Sequence, residues 1–272
     1  MILDEIVADT RRELAQRQAE LPAEALREQL AGLPPTLDLC AALQRPGISL
    51  VAEIKRASPS RGAMNLGLHP ADMALTYASA GADAISVLTE QQHFHGSPAD
   101  LIAVRAALRQ AGIACPVLRK DFVVDAYQLL EARAWGADAV LLIAAALDNA
   151  TLSTLADGAR ALGLIPLIEV HNREELERVL PLHPPLVGIN NRNLHDFTVD
   201  VTTTAILRPL IPPPTLVISE SGIHTPEQMR ELARLGVDAA LIGEALVTAP
   251  DPAATLQALR LAGGAPPVEA TP

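Results

Sequence analysis

Eight short apolar runs, each set off from the next by an amphipathic stretch, constrain this chain more than any other feature. They occupy residues 49–55, 84–88, 116–120, 139–144, 165–170, 186–190, 215–219 and 239–243. Most are nearly continuous Val, Ile and Leu rather than alternating, the pattern of strands covered on both faces. The stretches between them, such as 174–182 and 226–235, carry helical spacing. Eight strand–helix units predict an α/β fold, a single closed (β/α)8 (TIM) barrel rather than an open sheet. A weak internal repeat agrees: Gly-Ala-Asp-Ala at 81–84 and 136–139 and Gly-Val-Asp-Ala at 236–239 each follow a helical stretch and enter a strand. Glycine there supplies the left-handed stop of a helix, and the spacing fits about one and two units of a repeat near 50 residues.

Residues 1–46 read as a helical extension ahead of the first strand. Leu3, Ile6, Val7 and Leu14 recur near helical spacing, and Pro22 and Pro34-Pro35 punctuate the segment. The catalytic domain is expected to span 1–262, and the low-complexity tail 263–272 to be disordered. Hydrophobic residues at 49% against 19% charged exclude a disordered chain. The net charge of -11 argues against nucleic acid or an anionic membrane as partner, so an anionic ligand needs its own local cluster of donors. No apolar run approaches the roughly 20 residues of a membrane helix. Met1, Ile2, Leu3, Asp4 and Glu5 put acid where a signal peptide wants positive charge. Cys40 and Cys115 lack CxxC spacing and suit a reducing compartment. The expectation is a cytoplasmic monomer acting on a small molecule.

Barrels of this kind carry their chemistry at the C-terminal strand ends. Those positions hold Glu53, Lys55 and Ser58, then Thr89 and Glu90, Lys120 and Asp121, Glu169, Asn190 and Arg192, residues 219–222, and Gly243. Glu53 and Lys55 share parity and so share a face; as inert core such a pair would be costly. Of 21 Lys+Arg, only Lys55 and Lys120 are lysine. A lysine ammonium is compact and can give up a proton, which arginine cannot. The bland alternative for each lysine is a salt bridge capping a strand end. Ser221 and Gly222 after the seventh strand, and Gly243 with Glu244 after the eighth, stand where barrels often seat a phosphate on backbone N–H groups. Glu244 then has to turn its side chain away. His93 and His95 read as solvated loop histidines, Trp135 as outer-shell core, and Arg119 and Asp121 as facing the helices. His171, following Glu169, either touches the mouth or is an ordinary loop histidine, the latter the plainer reading. Phe94 and Phe122 either wall an apolar slot or simply pack.

Several longer segments resemble the indole-3-glycerol phosphate synthase family. They are Ala-Glu-Ile-Lys-Arg-Ala-Ser-Pro-Ser at 52–60, Ser-Val-Leu-Thr-Glu at 86–90 with Phe-His-Gly-Ser at 94–97, and Leu-Arg-Lys-Asp-Phe at 118–122. Gly-Ile-Asn-Asn-Arg-Asn-Leu at 188–194 and Ser-Glu-Ser-Gly at 219–222 complete the set. The resemblance implies ring closure of 1-(2-carboxyphenylamino)-1-deoxyribulose 5-phosphate, with loss of CO₂ and water, in tryptophan synthesis. It implies no cofactor and no metal. It casts Lys120 as general acid, Glu169 as the base of dehydration, Lys55 as anion partner and Glu53 as their organiser. Asn190 and Arg192 would orient substrate, while Ser58, Ser221, Gly222, Gly243 and Glu244, through its backbone, would bind phosphate. Two other readings compete: phosphoribosylanthranilate isomerase, which works with a cysteine and an aspartate, and a non-catalytic phosphosugar-binding barrel. Neither cysteine falls at a C-terminal strand end, which counts against the first.

Overall fold

Unbroken apolar strands must be buried on both faces, and the computed structural model, which describes residues 2–194 and 197–266, achieves this by closing them on themselves. The barrel strands are β1 (Ser49–Ile54), β2 (Ala84–Leu88), β3 (Val117–Lys120), β4 (Ala139–Ile143), β5 (Ile165–Val170), β6 (Leu186–Asn190), β7 (Leu216–Glu220) and β8 (Ala239–Ile242). All pair in parallel with their sequence neighbours, and β8 pairs with β1 to close the ring. The lengths shift from the sequence expectation by a residue or two: Lys55 lies just past β1, and β7 runs on to Glu220. A short ribbon, Ala57–Ser58 against Gly62–Ala63, shapes the loop after β1.

The extra helices expected ahead of β1 are three: α1 (Ile2–Glu20), α2 (Ala23–Leu30) and α3 (Leu39–Leu43), with non-helical chain across 33–38. The outer ring follows as α4 (Pro70–Ser79), α5 (Pro98–Gln110), α6 (Ala126–Trp135), α7 (Asn149–Ala161), α8 (Arg173–Val179), α9 (Thr202–Leu207), α10 (Pro226–Arg234), α11 (Glu244–Val247) and α12 (Pro252–Ala262). No described helix is long and apolar enough to cross a membrane.

Strand parity sorts the core into two layers. Outward residues such as Leu50, Ile85, Val140 and Ile168 meet the helices. Inward residues such as Val51, Leu118, Leu141, Leu167, Ile218 and Leu241 fill the barrel, and the ends of that inner core are closed by Leu39 and Leu43 of α3 and by Leu3, Ile6 and Val7 of α1. Ser49, at the start of β1, donates its hydroxyl to Leu43 O, so α3 plugs the N-terminal end and α1 lies at the other.

The Gly-x-Asp repeats do more than stop helices. Asp83, Asp138 and Asp238 each reach sideways and accept a backbone N–H at the start of the preceding strand, from Leu50 (2.9 Å), Val117 (2.8 Å) and Val217 (2.8 Å). Each thereby ties neighbouring βα units at the bottom of the barrel. The expectation of a disordered tail from residue 263 is corrected in part. Gly263 O accepts Ile48 N–H at 2.9 Å and Ala265 is buried, so 263–266 pack against the chain leading into β1. Residues 267–272 lie outside the described residues.

Candidate active site

At the C-terminal ends of the strands the inward positions change from apolar to charged. Glu53 of β1, Lys120 of β3, Glu169 of β5, Asn190 of β6 and Glu220 of β7 point into one cavity. Two strands make room for them. A Cβ on Gly188 would stand 2.1 Å from Glu220 Oε1, and one on Gly243 would stand 2.4 Å from Glu53 Oε1. Glycine at these positions is therefore the space the carboxylates occupy.

Lys120 Nζ donates to Glu169 Oε2 at 3.1 Å and lies 3.3 Å from Glu220 Oε2. Burial works against its charge, but Glu169, Glu220 and Glu53 outweigh it and hold the ammonium well above the usual lysine range. For Glu169, burial is likewise outweighed, by Lys120 and His171, and the carboxyl is held well below its ordinary value. Glu220 goes the other way. Burial, reinforced by Glu169 and Glu53, pushes it up to about 8 against the pull of Lys120, and its Oε1 has no hydrogen-bond partner. One cavity thus holds a cation and an anion fixed against each other, beside a carboxyl whose hold on a proton is strengthened by burial.

Lys55, just beyond β1, donates to Glu53 Oε1 at 2.5 Å and stands at the rim rather than on the axis. The rim also gathers Ser58, Arg192, Ser221, Gly222, Gly243 and Glu244. Arg192 donates to Ser60 Oγ at 3.1 Å. Ser221 and Gly222 both adopt left-handed backbone (φ 66 and 78), a conformation that a serine holds only when its surroundings enforce it. The Glu244 carboxylate is engaged by Arg61 at 2.5 Å.

The remaining wall is apolar. Phe94 and Phe122 lie with ring centroids 6.1 Å apart, and Ile2, Leu3 and Ile6 of α1 and Leu194 complete the slot. The loop bearing Phe94 is held by Glu90, whose carboxylate accepts the N–H groups of Gln92, His93 and Phe94. Behind Lys120, Arg119 and Asp121 face the helices. Arg119 pairs with Asp121 and Glu131 and stacks 4.3 Å from the Trp135 ring.

Every residue given a catalytic or binding role from the sequence lines this cavity, whereas Thr89, Glu90 and Ser219 do not; Glu220 and helix α1, which sequence reasoning did not single out, line it too. Glu220 reads locally as part of a phosphate loop; the parity of Leu216, Ile218 and Glu220 is the signal that places it inside. The contribution of α1 has no local signal. His171 is no ordinary loop histidine: its side chain is 10% exposed, set between Glu169 and Glu175. His93 also departs from expectation, since its Nε2 lies 3.1 Å from Asp9 of α1, whereas His95 is exposed. Ser219 is buried among Asn191 and Thr204 on the outer face of β7, not at the mouth. Cys40 and Cys115 are both remote from the cavity.

Fold and site together define a (β/α)8 barrel whose mouth gathers buried acid and base side chains beside a rim of arginine, serine and glycine. Residues 3–259 match the family model described as indole-3-glycerol phosphate synthase. Among curated relatives, the chain is 45% identical to the indole-3-glycerol phosphate synthase of Streptomyces griseus, covering 97% of both chains. It is 46% identical to that of Kineococcus radiotolerans, covering 99% of this chain and 98% of the relative, and 47% identical to that of a Parafrankia species. The chain belongs to the indole-3-glycerol phosphate synthase family. Solved structures extend the likeness in fold alone. A 3-hexulose-6-phosphate synthase superposes with TM-score 0.61 at 18% identity, covering 79% of this chain and 99% of that one. A thiamine phosphate pyrophosphorylase from Pyrococcus furiosus gives 0.59 at 17%, covering 83% and 97%.

Proposed function

We infer that this chain closes the indole ring of 1-(2-carboxyphenylamino)-1-deoxyribulose 5-phosphate, releasing CO₂ and water to give indole-3-glycerol phosphate, and that the inward charged groups carry the proton transfers. The observation that carries the assignment of roles is the seat of Lys120 on the barrel axis between Glu169 and Glu220, beside an aromatic slot and an anion-binding rim.

The chemistry needs two protons delivered, one to the ketone oxygen and one to the departing hydroxyl, and one removed from carbon. The ring carbon bearing the carboxylate attacks the ketone carbon, and the ketone oxygen takes a proton from Lys120 to become a hydroxyl. The carboxylate leaves as CO₂, returning its bonding electrons to the ring. Dehydration follows: the hydroxyl takes a second proton, from Lys120 once solvent has reprotonated it, and departs as water, while Glu169 takes the proton from the adjacent carbon, leaving the indole double bond. An ammonium held by three carboxylates is a strong hydrogen-bond donor and a reluctant acid. Burial and the neighbouring carboxylates raise the proton affinity of Glu220, which weakens its grip on the ammonium relative to that of Glu169. Lys55, clear of the axis and tied to Glu53, suits the substrate's carboxylate. Arg192, Ser58 and the backbone N–H groups of the left-handed turn Ser221-Gly222 and of Gly243 and Glu244 suit its phosphate. Asn190 orients the hydroxyls, and the Phe94–Phe122 slot takes the aryl ring.

Purified protein mixed with this substrate should produce indole fluorescence in steady turnover, and a folded wild type that makes no product overturns the reading. Arg192→Ala should raise KM by at least about tenfold with kcat little changed, as removal of a charged hydrogen bond to a bound anion does.

A further inference from the structure

His171 stands one residue past β5 and shares the parity of Glu169, so its ring continues the inward face beyond the barrel rim. It is fixed from behind by Glu175 of α8. Glu175 Oε2 accepts the backbone N–H of His171 at 2.8 Å and lies 3.1 Å from its Nδ1. Glu175 is itself anchored, taking a hydrogen bond from Asn172 Nδ2 at 2.7 Å and donating its own N–H to Asn172 Oδ1 at 2.9 Å. A carboxylate on Nδ1 leaves Nε2 facing Glu169 Oε1 at 3.3 Å, an ion-pair distance outside hydrogen-bond geometry, and Nε2 has no hydrogen-bond partner among the described residues. Catalytic hydrogen bonds often align only once substrate is bound. Burial disfavours the ring's charge, but Glu169 and Glu175 outweigh it and push the imidazole up to about 10. The two oxygens of Glu169 therefore face different cations, Oε1 to His171 and Oε2 to Lys120.

We propose that His171 is a positioning residue for the ring-closure reaction: seated on Glu175, it holds Glu169 through Oε1, keeps that carboxylate in its base form, and leaves Oε2 to Lys120. This rests on the reading of Glu169 as base. Lys120 alone would draw Glu169 toward the acid and away from a proton on substrate carbon. A second cation on the opposite oxygen fixes the plane of the carboxylate between the two. The other charged groups on the cavity wall around His171 are Asp4 of α1, Glu174 and Arg178 of α8, and Arg192 and Asp200 after β6. They stay in place in every variant below, so a difference between variants reports the imidazole.

The test is the pH profile of kcat for His171→Gln, Glu175→Gln and Glu169→Gln beside wild type. Removing one positive charge next to Glu169 should move the acid limb of kcat upward by about one pH unit in His171→Gln. KM should stay within about twofold, because no substrate contact is lost. Glu175→Gln leaves His171 in place but weakens its charge, so its limb should move the same way by less; it also keeps the proposal testable if the histidine variant folds poorly. Acid limbs that coincide with wild type in both variants, whatever the change in kcat, overturn the proposal and leave His171 a packing residue. Near-normal turnover by Glu169→Gln would overturn the base assignment and this inference with it. An inactive Glu169→Gln beside unmoved limbs overturns the inference alone.

Discussion

Gly188 and Gly243 show how much of this site is set by what is missing from a residue. Each faces a carboxylate on the neighbouring strand at a distance that excludes a Cβ. Gly188→Ala should push Glu220 out of its seat beside Lys120. The flexible carboxylate end gives way, so the cost in stability stays within about 1–3 kcal/mol, while kcat falls by about tenfold or more. Urea unfolding and steady-state kinetics on the same preparation check both halves; unchanged kcat would remove Glu220 from the mechanism. His171 yields a stability prediction of definite sign. Its folded pKa, about 10, lies above the unfolded value of about 6.5. Its contribution is therefore fully present below about 6.5 and is lost as pH rises through 10, because the folded state holds a proton the unfolded state has released. Wild type should lose stability relative to His171→Gln across that window, and parallel curves in urea titrations would refute it. At this scale the sequence was readable where parity sufficed: Lys120 and Glu169 could be placed inside from their strands alone. Glu220 and His171 share that parity, but their roles depend on Lys120, Glu169 and Glu175, partners that only tertiary contacts bring to them.

Among the elements, α1 is the one whose role is least visible in sequence. Its apolar stripe of Leu3, Ile6 and Val7 reads as ordinary amphipathic packing, yet its partners are Phe122, Ile143 and other residues more than a hundred positions away. The helix is held by charge as well as by apolar contact. Arg17 donates to Glu131 Oε1 at 2.6 Å, and the other oxygen of Glu131 lies 3.3 Å from Arg119 behind Lys120. Tyr127 OH donates to Leu21 O at 2.7 Å. Glu131 is buried, so Glu131→Gln leaves two guanidinium groups short of a counter-charge, at a cost of about 3–5 kcal/mol. Loosening α1 should also raise KM, since Ile2, Leu3 and Ile6 line the slot. Unfolding and KM measured together test this, and a variant as stable as wild type would show the cluster to be inessential.

Over the whole molecule, closure of the barrel is what converts scattered residues into a site. The strand runs announce it, because only strands buried on both faces need such unbroken apolar sequence. The devices that tie the units were half legible: the glycines of the Gly-x-Asp repeats read as helix stops, but each aspartate's partner is an N–H on the neighbouring strand. Asp138 carries the most, accepting from Leu37 N and Val117 N and pairing with Arg105. Asp138→Ala should cost about 3–5 kcal/mol, more than Asp238→Ala, which loses no such buried charge pair; equal losses on urea unfolding would contradict that ranking. Closure also brings Lys120 to Glu169 and Glu220, and the account stands on that meeting. The most direct test is kcat for indole-3-glycerol phosphate formation by Lys120→Ala, followed by indole fluorescence on folded protein. The account predicts a fall of about 10²–10⁴-fold, the usual worth of a positioned general acid, with substrate still bound. Turnover within a few-fold of wild type would contradict it.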